Sequence, residues 1–175
     1  MSGVSCQQPP PPPPAYHLNA TVRDIMKAMV DPSADVVWNA VATIQDAQGT
    51  DERSPKSDEE WEKVRHHALI VAEGANLLLM PGRKLASPGE RSENPEVELH
   101  PEEIEEMIKQ DPNTWFKYAH GLNEQMTIAL SAIAVKDVKA LFDVGEAIDG
   151  ACENCHRHYW YPPDADKRPA SRMKK

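Results

Sequence analysis

The sequence predicts an all-α protein, an antiparallel four-helix bundle. Three observations lead there. Apolar residues recur at steps of three and four through four long segments, and two of the joins between them are short while one is longer. No internal repeat or strand pattern contradicts this reading. The chain of 175 residues divides into a proline-rich N-terminal linker over 1–17, a domain over 18–161 and a basic tail over 162–175, with linker and tail expected to be disordered. No apolar run reaches the roughly 18 residues that a membrane-spanning helix needs. The formal net charge of −9 argues against nucleic acid as a partner and suits a soluble protein.

The first helix is expected over Leu18 to Ala47, with Asn19 or Thr21 as its cap and Asp24 in its first turn. Its apolar stripe runs Val22, Ile25, Met26, Met29, Ser33, Val36, Val37, Ala40, Val41 and Ile44. The stripe keeps its register across Asp31-Pro32. Pro32 removes one backbone hydrogen bond, so a kink or short break inside one bent helix is expected there. Gln48-Gly49 ends the helix, and Thr50 to Lys56 reads as a polar loop.

Ser57 with Glu60 forms a capping box just before Trp61, and Trp61, Val64, Ala68, Val71, Ala72, Ala75, Leu78 and Leu79 make the second face. Met80-Pro81-Gly82 stops it. The stretch from Arg83 to Asp111 is punctuated by Pro88, Gly89 and Pro95 and rich in glutamate. Pro101, Ile104, Met107 and Ile108 suggest a short surface helix within it. Asp111-Pro112 opens the third long helix, with Trp115, Ala119, Leu122, Met126, Ala129, Leu130 and Ile133 on its stripe. A tight connection at Val135 to Asp137 leads to the fourth. That helix carries Val138, Leu141, Phe142, Gly145, Ile148, Cys152, Cys155, His156 and Tyr159 on one face, and Pro162-Pro163 end it.

The chemistry concentrates at Cys152-Glu153-Asn154-Cys155-His156. Two cysteines three apart and followed at once by histidine form the attachment signature of a c-type haem. Each thiol adds across one vinyl group to give a thioether, and the adjacent imidazole is carried to the iron as an axial ligand. On a helix these three residues stand at i, i+3 and i+4, on one face. Two other readings compete. A redox dithiol wants a βαβ surrounding, and no strand pattern precedes the motif. A zinc site wants four ligands, and no second Cys or His pair stands at a suitable spacing.

Haem attachment of this type implies export, so a periplasmic location is expected. The start of the chain has neither a charged n-region nor an apolar h-region. A leader removed by processing, omitted for expression or lost through a misassigned start would each leave this beginning. The third cysteine, Cys6, lies in Val4-Ser5-Cys6-Gln7, a weak match to the end of a lipoprotein signal, and Pro9 to Pro14 follow as a spacer. An acylated Cys6 would tether the domain to a membrane; a free tail is the alternative.

Taken together, the domain resembles the cytochrome c′ family, including its low-spin, methionine-ligated relatives. The resemblance spans Leu18 to Tyr161. It rests on C-x-x-C-H at the end of the last helix and on Arg23-Asp-Ile-Met26-Lys27-Ala28-Met29 in the first. It implies one haem c per chain, tethered by Cys152 and Cys155 and held by His156, with Met26 as the opposite axial ligand. A thioether suits haem iron, yet methionine on an apolar stripe is more often core filling, and Met29 one turn on is an alternative ligand. Met80 and Met126 are less well placed. The family also implies redox partner proteins and pairing of two copies. One departure is Trp160, where family members usually carry Arg or Lys four residues after the haem histidine. Arg157 could reach a haem propionate or stay solvated, His158 points to the surface, and His17, His66, His67, His100 and His120 show no ligand spacing.

Three functions follow as expectations. A His/Met-ligated haem would make the protein a one-electron carrier and not an enzyme, since no acid/base pair or activated nucleophile is visible. A five-coordinate haem, with the methionines only packing, would make it a gas-binding protein for NO or CO. A helical bundle that never receives haem is the third.

Overall fold

The structure is a computed structural model that describes residues 16–46 and 49–163. Cys6, the proline run and the basic tail beyond Pro163 lie outside the described residues. Helix dominates what is described, joined by one two-stranded hairpin.

Thr21 is the residue that caps the first helical run. Its hydroxyl accepts from the Asp24 amide at 3.1 Å, while Asp24 Oδ2 accepts from the Thr21 amide at 2.9 Å. The amides of Val22 and Arg23, which have no partner inside the helix, donate to the carbonyls of Lys84 and Leu85 at 2.8 and 2.9 Å. The run then has three parts: α1 (Val22–Ile25), a π-helical turn (Met26–Val30) and α2 (Asp31–Trp38).

The break expected at Asp31-Pro32 therefore takes the form of a π turn just before it. Pro32 has no N–H to give, and its ring crowds the carbonyl four residues back; a wider turn relieves both. The turn closes where the Asp31 amide bonds to the Met26 carbonyl, five residues back. The extra residue changes which side chain meets the core. After Ile25 the buried positions are Val30, Ser33 and Val37, and Met26 and Met29 move to half-buried positions at its edge.

The first helix ends at Trp38, well short of Ala47. A turn at Asn39 and Ala40 stops it, with Asn39 Nδ2 donating to the Asp35 carbonyl at 2.8 Å. Ala42–Asp46 (β1) then pairs antiparallel with Gly49–Arg53 (β2), from Ala42↔Arg53 to Asp46↔Gly49. The helix expected to Ala47 and the loop expected at Thr50 are both corrected by this hairpin. The adjacent β-branched pair Thr43-Ile44 favours extended backbone, and the backbone groups freed by the turn find partners in the segment that follows. Gly49 sits at φ +137°, a conformation that glycine alone takes easily.

The longer helices follow the expected order. α3 (Asp58–Leu78) starts at the Ser57–Glu60 capping box, α4 (Pro101–Gln110) and α5 (Pro112–Ala134) start at prolines, and α6 (Val138–Tyr159) starts at Asp137. α3 packs against the first helical run and against α5, and α5 packs against α6. Gly74 is a close point of the first of these contacts: a Cβ there would lie 2.7 Å from Val30 Cγ2. Trp115 Nε1 donates to the Leu78 carbonyl at 3.1 Å, joining α5 to the end of α3.

The α5–α6 reversal is tight because Asp137 and Lys136 bond back to the carbonyls of Ala132 and Ile133 at 2.9 and 3.0 Å. On α6, Leu141, Ile148 and Tyr159 are buried as expected. Val138 and Phe142 are not; they are 40% and 52% exposed, and Val144 faces the core instead. Phe142 lines a cleft between α6 and α2.

Candidate haem site

Cys152, Cys155 and His156 lie on the last two turns of α6, on its half-buried side. Both cysteines pack against the hydrophobic core, in the same cluster that takes in Met26 and Met29 from the π turn. Asp31, which follows that turn, is near enough to act by its charge on both Cys152 and His156.

Burial pushes the Cys152 thiol up to about 11, with Asp149, Glu153 and Asp31 adding to the effect. Burial also pushes Cys155 up to about 12, with Cys152 as a lesser cause. Both stay protonated at neutral pH. A redox dithiol needs the opposite, a lowered thiol. Among the described residues no group of three or more His, Cys, Asp and Glu could hold a bare metal ion. Haem iron asks less of the protein, because the porphyrin supplies four nitrogens and the chain only axial donors and tethers. Burial also lowers the His156 pKa, outweighing the opposing charges of Glu153 and Asp31. It favours the neutral imidazole that iron binds. The residues present fit a covalently held haem.

The far side of His156 is an aromatic wall. Trp160 meets its ring edge-on, with centroids 5.2 Å apart and an interplanar angle of 88°. Tyr161 lies 6.0 Å away at 56°. Tyr161 Oη donates to Glu153 Oε1 at 2.6 Å, and Arg157 Nε pairs with Glu153 Oε2 at 3.3 Å. Arg157 thus binds a carboxylate of its own helix. His158 is exposed, its ring against Tyr118 and Tyr159.

Along α6 before the motif, a cleft of about 370 Å³ separates that helix from α2, lined among others by Val37, Trp38, Leu141, Phe142 and Ile148. Ile148 stands one turn before Cys152. Met126 is wholly buried in α5, and Met80 Sδ accepts from Arg83 Nη2 at 3.0 Å, so neither joins the site.

Several residues that shape the site escaped the sequence reading. Gly74 holds up the π turn, and an isolated glycine inside a strong helical pattern is a usable signal of close packing. Glu93 accepts from Arg23 Nη2 at 2.7 Å and Lys27 Nζ at 2.6 Å, clamping both basic residues that flank Met26. No local pattern announces it. Tyr159 Oη, three residues past His156, is buried without a hydrogen-bond partner among the described residues.

Comparison of the chain with protein-family models, with curated proteins and with solved structures returns no match.

Proposed function

We propose that this protein is a c-type cytochrome of the four-helix-bundle kind, an exported one-electron carrier rather than an enzyme. One observation carries the reading. Cys152, Cys155 and His156 share the half-buried side of α6, and two methionines on the π turn pack against the same core. Cys152 and Cys155 would form the thioether tethers, and His156, its pKa lowered by burial, would hold the iron from one side. Met26 would hold it from the other, with Met29 as the alternative. Haem iron supplies the chemistry, a reversible exchange between ferric and ferrous states. The chain's own part is to keep water away with the apolar side chains around Ile25, Val30 and Ile148, and to present an edge to partner proteins.

The test is direct. The purified, matured protein should give a pyridine haemochrome equivalent to one covalent haem per chain, and sharp low-spin bands when reduced. Those bands should persist under carbon monoxide. A broad high-spin spectrum with rapid CO binding would replace the carrier by the gas-binding reading. A mature mass equal to the bare polypeptide removes both.

A further inference from the structure

A ligating imidazole is free to turn about its bond to Cβ unless something stops it. The usual stop is a hydrogen bond from the second ring nitrogen to a carboxylate or carbonyl. Among the described residues, no hydrogen bond reaches the His156 ring. What touches it is aromatic: Trp160 at 5.2 Å and 88°, Tyr161 at 6.0 Å and 56°.

The wall is anchored through its backbone and through Tyr161. The Trp160 amide donates to the His156 carbonyl at 2.7 Å, and the Trp160 carbonyl accepts from the Leu99 amide at 2.7 Å. The Tyr161 ring leans on the indole at 5.3 Å, and its hydroxyl is fixed to Glu153 at 2.6 Å. The indole remains 42% exposed, so filling the core does not account for its position.

We propose that Trp160 is a positioning residue that fixes the plane of the His156 imidazole, braced by Tyr161 and Glu153. The proposal rests on His156 being an axial ligand, as argued above. Edge-to-face packing restrains a ring in angle as well as in distance, because the edge of one ring is drawn to the face of the other. The orientation of an axial imidazole in turn sets the anisotropy of the ferric iron, which electron paramagnetic resonance reads as g values.

The experiment uses the haem-loaded protein and its Trp160→Ala, Trp160→Phe and Tyr161→Phe variants, with the haemochrome measured first. Wild type should show one set of g values. Trp160→Ala, still carrying one haem per chain, should show a shifted set or two or more sets. Trp160→Phe, which keeps an aromatic ring, should return to one set, and Tyr161→Phe should broaden the lines without splitting them. Should Trp160→Ala fail to take up haem, Trp160→Leu, with bulk but no ring, carries the same comparison. Wild-type g values in a haem-loaded Ala or Leu variant overturn the positioning role and leave the cytochrome reading intact. Absence of covalent haem from the wild type overturns both.

Discussion

The two walls of the candidate site are built on different scales. On α6, the features that hold His156 lie between Cys152 and Tyr161, in backbone bonds to its carbonyl, an aromatic wall and the Tyr161–Glu153 bond. By contrast, the positions of Met26 and Met29 depend on residues far along the chain. Pro32 forces the π turn, Gly74 of α3 makes room for Val30, and Glu93 clamps Arg23 and Lys27. One wall is mostly local, tied to the rest of the chain by the Leu99 amide on the Trp160 carbonyl. The other exists only if the first helical run, α3 and the loop over 83–100 come together.

The sharpest way to break this comparison is to remove each methionine in turn. Met26→Ala should convert the reduced protein from low to high spin and open it to carbon monoxide, while Met29→Ala leaves the bands in place. The reverse result moves the ligand to Met29. Two unchanged spectra mean that the long-range wall supplies no ligand at all.

Next in size is Gly74→Ala. Its new Cβ would stand 2.7 Å from Val30 Cγ2, on a buried β-branched side chain. Overpacking of this kind costs about 1–3 kcal/mol, against about 1 kcal/mol gained from helix propensity. A net loss of about 1 kcal/mol is expected, seen as a lower Tm, together with a high-spin fraction as the π turn lifts from α3. A Tm at or above wild type would show that the turn adapts freely.

Tyr159→Phe probes the local wall. Removing a buried hydroxyl that has no partner should stabilise the haem-free polypeptide by up to about 1 kcal/mol. If a bound group accepts from that hydroxyl, the haem-loaded protein gains nothing or loses. Equal gains in both forms would show that the hydroxyl meets no group in either.

The same contrast of scales governs what could be read in advance. Most helix starts were legible because capping is local: Ser57 with Glu60, Pro101 and Asp111-Pro112 all stand where expected. The motif was legible because its residues are adjacent in sequence; the lowered pKa of its histidine comes from burial in the folded chain and was not. The hairpin over 42–53 was not legible, because Val41 and Ile44 continue a helical stripe and only pairing with Gly49–Arg53 favours the extended form. Nor was the burial of Val30 in place of Met29. A periodic reading assumes 3.6 residues per turn, and the π turn inserts one more.

The smallest expected effect comes from Glu93→Gln. Hydrogen bonds from Lys27 and then Arg23, with their charges, hold the Glu93 carboxyl below its ordinary 4.5. A carboxyl depressed in the folded state stabilises the fold above its unfolded value, and the contribution fades as pH falls through the lower folded value. The pair is exposed, so salt should weaken it and its loss should be slight. Wild type should therefore melt a little above Glu93→Gln at neutral pH and low salt, with the gap closing below pH 4.5 and in high salt. A gap unchanged by either treatment would mean that Glu93 holds Arg23 and Lys27 by shape and neutral hydrogen bonds. The clamp beside Met26 would then be insensitive to charge, and a shift of spin state with pH in that range would have to come from another group.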